Sequence, residues 1–366
     1  MLQAIKDHPA RTAALDRLRA CAIISVVVFH VVPMSPVPLP TLGRITWYGQ
    51  YGVDLFFVLS GWLIGGLYWR EARATGAIDV PRFWVRRWMR TMPPYFLALI
   101  FSWFAVHFER NEPFDPHYLV FMQNYYERIP FFLVSWSLCI EEHFYLVLPF
   151  VAGTLLAFVS RRLFWLAWVA LLCLSPLFRW LGGSGDEFGY SATATHLRLD
   201  GLVLGVGLSY MALFVPVVFD RVARWSLAAI LICVFGLAAL EFVGGVWHAI
   251  FWPTAIALLC GAVVVGSVSH EAAGKGSRNV KRRAITMPWT TIAVTSYSAY
   301  LVHPLSIHVA RKLVSFVGPL GAILYWPVVC IIVVCTTAIF YMAIERPSIL
   351  LRDAWTPSRL AVLRAK

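Results

Sequence analysis

The sequence predicts an all-α membrane protein, built as a polytopic bundle of about ten transmembrane helices. Of its 366 residues, 60% are hydrophobic and 14% are charged, whereas soluble domains are typically about 45–50% apolar and about 25% charged. Its apolar runs last roughly 20 residues, the length that a helix needs to cross a bilayer, whereas a membrane barrel shows short alternating segments. The basic residues behind the net charge of +12 cluster between these runs, a pattern that reports membrane topology and argues against a nucleic-acid partner.

Ten apolar stretches follow one another along the chain, each long enough to span the hydrocarbon core. They cover about residues 17–36, 49–69, 88–108, 131–157, 163–181, 196–215, 223–243, 247–268, 289–311 and 319–344. The basic segments lie at 6–19, 70–90, 161–162, 221–224 and 275–283. They alternate with poorly basic connections, apart from Arg311 and Lys312, so the positive-inside rule places both termini in the cytoplasm. We expect one integral-membrane domain over residues 1–366, with cytoplasmic segments at 1–14 and 348–366.

The first span carries two ionisable side chains on one stripe of the helix. Arg19 and His30 are eleven positions apart, so they lie within roughly 20° of each other around the helix and roughly 16 Å apart along it. Ionisable groups inside a membrane are costly and are therefore candidates for function. The alternative is that a neighbouring helix satisfies them as structural polar residues.

The second span places a carboxylate at the depth expected for His30. Asp54 lies about 8 Å in from the outer end of its helix, and His30 lies about 10 Å short of the same surface. A carboxylate that fixes the tautomer of an imidazole is one way to build a general base. Asp54 could instead cap its helix or face external water. Three glycines of this span permit close helix contact, namely Gly61, Gly65 and Gly66.

The connection into the third span, RFWVRRWMR, is strongly basic. Arg86, Arg87 and Arg90 can share one helical face, and the aromatic residues between them suit an interfacial helix. Such a patch could set topology by attraction to anionic lipid. It could equally bind cytoplasmic phosphates, for which the forked donors of arginine are suited, and the charge alone does not decide.

The fourth span, SWSLCIEEHFY, holds two adjacent carboxylates. Ser137 and Glu141 share a face because they are four residues apart. Glu142 points about 100° away from Glu141, so we expect the two carboxylates not to serve one site. Together with His143 they fan around the helix, so we expect no metal.

Further polar residues lie in the sixth and ninth spans. His196, Arg198 and Asp200 occupy the outer end of the sixth. Arg198 and Asp200 do not share a face at this spacing, so each should pair with another helix. Tyr297 and His303 lie within the membrane in the SYSAYLVHP stretch of the ninth span. Structural or pocket-lining roles are favoured over catalytic ones for this group.

Seven motifs in order resemble the integral-membrane acyltransferase type 3 family. They are LDRLRACAIISVVVFH, GVDLFFVLSGWLI, RFWVRRWMRTMPPY, SWSLCIEEHFYLVLPF, RLDGLVLG, SYSAYLVHP and ERP, spread over about residues 15–347. Each is weak alone, but their common order is specific. The resemblance assigns the family's Arg-x10-His, Arg-x-x-Arg and Ser-x-x-x-Glu patterns to Arg19 and His30, Arg87 and Arg90, and Ser137 and Glu141.

The resemblance implies transfer of an acyl group, with acetyl expected, from acyl-CoA to a hydroxyl of a carbohydrate or glycolipid in the inner membrane of a bacterium. It implies His30 as the base, with Asp54 or Glu141 orienting it, Ser137 at the thioester and Arg19 at CoA or at the developing charge. Acetyl-CoA then binds at Arg86, Arg87 and Arg90. The acceptor site would be lined by Glu142, His196, Arg198, Asp200, Tyr297 and His303.

The alternative function is a proton-coupled transporter or flippase of a glycan or small molecule, because intramembrane ionisable residues also build proton pathways. No internal repeat is evident in the sequence, and many transporters have one. A sensor or scaffold has no need of so many buried charges. The sequence identifies neither the acceptor nor the oligomeric state.

Overall fold

The computed structural model describes residues 12–126, 128–158, 161–182, 193–273 and 280–357. All regular secondary structure in these ranges is helical, and the helices include several long and apolar enough to cross a membrane. The predicted all-α, polytopic membrane bundle is therefore confirmed. Parts of the predicted basic and terminal segments lie outside the described residues, namely 1–11, 275–279 and 358–366.

The α-helices follow the chain in the order that the apolar runs predict. They are α1 (Ala13–Val31), α2 (Pro40–Trp47), α3 (Gly52–Thr75), α4 (Val80–Arg110), α5 (Trp136–Phe158), α6 (Arg161–Gly182), α7 (Asp200–Phe214), α8 (Pro216–Arg224), α9 (Ser226–Val243), α10 (Gly245–Ala273), α11 (Val280–Ser315), α12 (Gly321–Phe340) and α13 (Arg346–Trp355). A π-helical turn at Tyr341–Glu345 joins the last two. Short 3-10 turns lie at Val32–Met34, Tyr48–Tyr51, Pro116–Val120, Gln123–Tyr125, Leu133–Ser135, Thr195–Leu197 and Gly318–Leu320.

A helix covers each predicted span, but fewer than ten helices pass a test of length and apolarity. Within the described residues seven pass, or eight if α7 and α8, which bend by 118°, count as one broken span. Helices α1 and α11 do not pass, although each covers a predicted span. The reason is polarity, because α1 carries Asp16, Arg17 and Arg19 while α11 is rich in Ser, Thr, Tyr and His.

Helices α1 and α11 lie side by side and run in the same direction. Asp16 lies 3.3 Å from Thr290, Arg19 lies 3.2 Å from Ser296, and His30 lies 3.3 Å from His303. The paired residues advance together along both helices, as two odd-numbered spans of an alternating series should. The direction of these helices relative to the cytoplasm stays a prediction.

The start of α1 is held by a side chain from another helix. The Thr12 hydroxyl accepts from the Leu15 amide at 3.3 Å, which is the usual N-cap arrangement. The carboxylate of Glu271, near the end of α10, accepts from the amides of Ala13 and Ala14. A negative charge beside the first amides of a helix is favourable, so this contact ties α1 to α10.

Glycines bring α3 and α7 into direct backbone contact, as the sequence predicts for Gly61 and Gly65. A Cβ on Gly61 would collide with the carbonyl oxygen of Leu202, and a Cβ on Gly65 would lie 2.7 Å from the Ser209 hydroxyl. Gly66 differs, because the nearest atoms belong to Arg70 of its own helix. Small residues of this kind let membrane helices approach closely.

Replacing Gly61 with Ala should destabilise the bundle, because the new methyl group meets backbone rather than a movable side chain. Overpacking of this kind costs about 1–3 kcal/mol, so the melting temperature of the detergent-purified protein should fall. The matched control is Gly236→Ala in α9, where a Cβ meets nothing within 4 Å. Equal melting temperatures for the two variants would contradict the close contact.

Candidate active site

Five polar side chains of α11, all between residues 296 and 303, contact other elements. Two of them meet α1: Ser296 accepts from Arg19 at 3.2 Å, and His303 lies 3.3 Å from His30. Tyr297 donates to the Thr91 carbonyl of α4 at 2.9 Å, and Tyr300 lies 2.6 Å from Ser137 of α5. Ser298 donates to Glu345 of the π-helical turn at 2.5 Å. This segment rises only about 10 Å along the helix axis. It gathers candidate residues from α1, α4, α5 and the π-helical turn into one region.

The tautomers of His30 and His303 follow from their contact with each other and from their hydrogen bonds to backbone carbonyls. Nδ1 of His303 lies 2.8 Å from the Tyr300 carbonyl and 3.2 Å from that of Ala299. A carbonyl only accepts, so this Nδ1 carries the proton and Nε2 of His303 is an acceptor. Nδ1 of His30 lies 3.3 Å from that acceptor and 2.8 Å from the Val26 carbonyl. It must therefore be the protonated nitrogen of His30.

The second ring nitrogen of His30 is left with its lone pair. No hydrogen-bond partner for Nε2 is found in the part of the chain that the structure describes. The His30 side chain is half-buried, whereas His303 is 0% exposed. In this arrangement His303 orients the His30 ring through Nδ1, and Nε2 keeps a lone pair that can accept a proton. The predicted roles of His30 as base and of His303 at the acceptor stay predictions.

The prediction that Asp54 contacts His30 is wrong. The Asp54 carboxylate lies 3.0 Å from the Arg198 guanidinium, and Arg198 also lies over the Trp136 ring at 5.5 Å. A permanent cation is a stronger partner for a buried carboxylate than a neutral imidazole. The hydrogen-bond partners of His30 are instead His303 and the Val26 carbonyl.

Asp200 belongs to a buried ion pair. Arg179 donates to both carboxylate oxygens of Asp200, at 3.0 and 3.2 Å, and Thr254 donates to one of them at 2.7 Å. Arg179 also donates to the Ile250 carbonyl at 2.7 Å. The expectation that Arg198 and Asp200 each pair with another helix is confirmed. These contacts lock α6, α7 and α10 together, which favours a structural role for Asp200.

Arg87 points into the bundle and joins the two carboxylates of α5. Its guanidinium lies 2.7 Å from Glu141, 3.9 Å from Glu142, and 4.1 Å from the centre of the Tyr145 ring. The expectation that the two carboxylates serve separate sites is wrong, because one broad guanidinium reaches both. Since Arg87 is only 13% exposed and already paired, the structure does not support it as a phosphate ligand.

Arg86 and Arg90 remain partly exposed, at 22% and 29%. Arg86 lies 3.1 Å from Asp353 of α13, and Arg90 lies 3.7 Å from Glu345. Among the three predicted arginines of α4, Arg86 thus turns toward α13 and Arg90 toward the π-helical turn that precedes it, whereas Arg87 turns inward.

Ser137 and Glu141 share a face of α5 but do not contact each other. The Ser137 hydroxyl lies 2.6 Å from that of Tyr300 and donates to the Val134 carbonyl at 3.2 Å. Glu141 instead accepts from Arg87 and Tyr145. The predicted role of Ser137 at the thioester stays a prediction.

His196 lies in an aromatic cluster beside the start of α7. Its ring stacks on that of Tyr125 with centroids 5.9 Å apart and meets Phe178 edge-on at 5.4 Å. Nearby, the His143 ring lies 2.7 Å from the Thr195 hydroxyl. Within the described residues, no group of three or more His, Cys, Asp or Glu is placed to hold a metal ion, and whether a metal takes part stays untested.

The sequence interpretation missed the role of Glu345, which is 0% exposed. One of its carboxylate oxygens accepts from the Ser298 amide at 3.2 Å and from the Ser298 hydroxyl at 2.5 Å. The Arg346 amide donates to the Tyr341 carbonyl and closes the π-helical turn that places Glu345 there. Such turns are frequent at functional sites. The signal in the sequence was the ERP motif that follows a long apolar run.

Comparison with known families agrees with this architecture. The family described as an acyltransferase domain matches residues 12–343, so the chain belongs to that family of acyltransferases. This membership favours acyl transfer over the transporter alternative. No solved structure matches the chain.

Two relatives cover part of the chain. OatA of Staphylococcus aureus, named an O-acetyltransferase, is 28% identical over 232 residues, which are 56% of this chain and 35% of that protein. YrhL of Bacillus subtilis, provisionally named a peptidoglycan O-acetyltransferase, is 27% identical over 227 residues, which are 56% of this chain and 34% of that protein. The matches thus span about a third of the length of these relatives.

Replacing Arg87 with Met should destabilise the protein strongly, because Glu141 and Glu142 then lose their shared cation. Removing one partner of a buried ion pair costs about 3–5 kcal/mol. The melting temperature in detergent measures the loss. Arg110→Met, at the exposed end of the same helix, is the control and should melt like the wild type. A variant of Arg87 as stable as this control would show that the ion pair is dispensable.

Proposed function

We propose that this protein is a membrane-bound O-acyltransferase that transfers an acyl group from acyl-CoA to a carbohydrate hydroxyl, and that the acyl group is acetyl. One observation carries the proposal: the contact with His303 leaves Nε2 of His30 unprotonated and without a partner among the described residues. Family membership supports acyl transfer, and the names of OatA and YrhL support oxygen as the accepting atom.

In the proposed reaction the acceptor hydroxyl gives its proton to Nε2 of His30 while its oxygen attacks the thioester carbonyl. The carbon–sulfur bond then breaks, and the leaving sulfur takes the proton back from His30, which gives the ester and free CoA. Protonated His30 keeps its Nδ1 hydrogen bonds to the Val26 carbonyl and to His303. Those two acceptors stabilise the positive charge that forms on the ring.

Arg19 is best assigned to the donor rather than to the reacting carbonyl. It lies on the same stripe as His30 but roughly 16 Å away along the helix, which exceeds the reach of an arginine side chain. Its guanidinium is held by the Ser296 hydroxyl at 3.2 Å. A cation at this place suits the phosphate-bearing part of CoA, while the long pantetheine arm extends toward His30.

His30→Ala should abolish acyl transfer while leaving the protein folded and inserted in the membrane. A positioned base contributes about 10²- to 10⁴-fold in rate. The measurement is acetyl transfer from radiolabelled acetyl-CoA to membrane glycan, in membranes with matched amounts of protein. His143→Ala changes another intramembrane imidazole, one bonded to Thr195, and should retain activity. Wild-type rates for His30→Ala would rule this residue out as the base.

His303 should affect turnover rather than donor binding, because it touches His30 and is fully buried. We expect His303→Leu to lower kcat at least tenfold with little change in the KM for acetyl-CoA. His303→Gln, whose amide oxygen can accept from Nδ1 of His30, should restore part of the rate. His308→Leu changes a partly exposed histidine of the same helix that contacts Glu109 rather than His30, and it serves as the control. Equal loss in the Leu and Gln variants would contradict a positioning role.

A further inference from the structure

Two cations near the end of α11, Arg311 and Lys312, interrupt the alternation of basic segments that the sequence predicts. Lys312 contacts the carboxylate of Glu109 at the end of α4, and His308 lies 2.8 Å from the same oxygen. The charge of Lys312 is therefore balanced within the protein. Glu109 is 23 positions from Arg86, or roughly 35 Å along α4, so these contacts lie at the opposite end of the bundle from the arginines of that helix.

Arg311, unlike Lys312, forms no ion pair within the described residues. Its Nη1 donates to the thioether sulfur of Met34 at 3.4 Å, and a thioether is only a weak acceptor. The side chain is exposed. Most of the guanidinium N–H donors of Arg311 are therefore available to a ligand that carries negative charge.

Arg311 borders a pocket of about 340 Å³ where three elements meet. Pro36 lines it from the connection that follows α1, Ser315 from α11, and Gly321 and Ala322 from the start of α12. A water molecule takes about 30 Å³ of liquid volume, so the pocket has room for a phosphate and its ester groups.

Large apolar side chains next to the pocket residues in the chain are exposed. Phe316 is 86% exposed and Ile323 73%, and Leu313 and Leu320 are also exposed. We call these four residues the apolar rim. Exposed apolar groups of this kind mark contact with a membrane or a ligand. A soluble anion gains nothing from the rim, whereas a lipid can place its phosphate at Arg311 and its acyl chains on the rim.

The pocket lies beyond the His30–His303 contact on the same two helices. Met34 follows His30 by four residues, and Arg311 follows His303 by eight. Their contact therefore continues the pairing of α1 with α11 by roughly 12 Å along α11. A ligand in the pocket would join the connection after α1 to α11 and α12, and so brace the helix pair that holds His30.

We propose that Arg311 binds the phosphate of an anionic phospholipid in this pocket, with the acyl chains of the lipid on the apolar rim. Arginine suits a phosphate because its forked donors can engage two oxygens at once. The bound lipid stabilises the packing of α1 against α11 and α12. The site depends neither on the donor nor on the acceptor of the proposed reaction.

The test exposes the full chain, in a neutral maltoside detergent, to subsaturating phosphatidylglycerol with a photoreactive group in an acyl chain. Mass spectrometry measures the label on residues 313–323. Arg311→Gln should lower this label about 10- to 100-fold, the loss expected for a charge-assisted hydrogen bond. Ala322→Phe, which fills the pocket but keeps the cation, should lower it as well. Lys312→Gln removes one positive charge from the adjacent position, and this matched control should retain the label.

Equal label in the Arg311→Gln and Lys312→Gln variants would overturn the site, because Arg311 would then have no special part in binding. Photoreactive diacylglycerol, which lacks the phosphate, should give little label, and labelling equal to that by phosphatidylglycerol would reduce the site to apolar contact. Glycerol 3-phosphate should fail to compete with the lipid, and full competition at equal concentration would assign the pocket to a soluble phosphate instead.

The melting temperature supplies a second measurement. Phosphatidylglycerol should raise it in the wild type and in Lys312→Gln, but not in Arg311→Gln, because only the first two keep the phosphate ligand. Without lipid, Arg311→Gln should melt like the wild type, since its side chain is exposed. An equal rise in all three proteins would contradict stabilisation through Arg311.

Discussion

The bundle depends on one requirement, which is that the polar side chains of α11 find partners inside a hydrophobic structure. A buried donor or acceptor left without a hydrogen bond costs about 1–3 kcal/mol, and five such side chains lie between residues 296 and 303. Each is satisfied by a group on another element. Satisfying them fixes α1, α4, α5 and the π-helical turn around α11, so the contacts that stabilise this helix also assemble the candidate site.

Much of the fold could be predicted because the length of an apolar run can be read from one segment of the sequence, without knowledge of which helices pack together. The helices lie where those runs lie, and the stripe that joins Arg19 to His30 faces a single neighbour, α11, as its spacing requires. The number of apolar helices was harder to predict. Helices α1 and α11, which contact each other through polar side chains, do not pass a test of apolarity because of that same polarity.

Partners could not be predicted, because periodicity shows which residues share a face and not which helix lies opposite. Asp54 and His30 come from consecutive spans at compatible depths, yet Asp54 pairs with Arg198, 144 residues away. His303 meets His30 across 273 residues. Arg87 turns inward although its spacing allowed it to join Arg86 outside. In each case the deciding factor is a charge or hydrogen-bond partner supplied by tertiary packing.

The π-helical turn between α12 and α13 introduces a fixed rotation between the two helices. It holds one residue more than an α-helical turn, so everything after it is rotated by about 100° relative to an uninterrupted helix. The apolar α12 and the arginine-bearing α13 therefore present different sides of one continuous rod. The extra residue of this turn therefore sets which side of the bundle the arginines of α13 face.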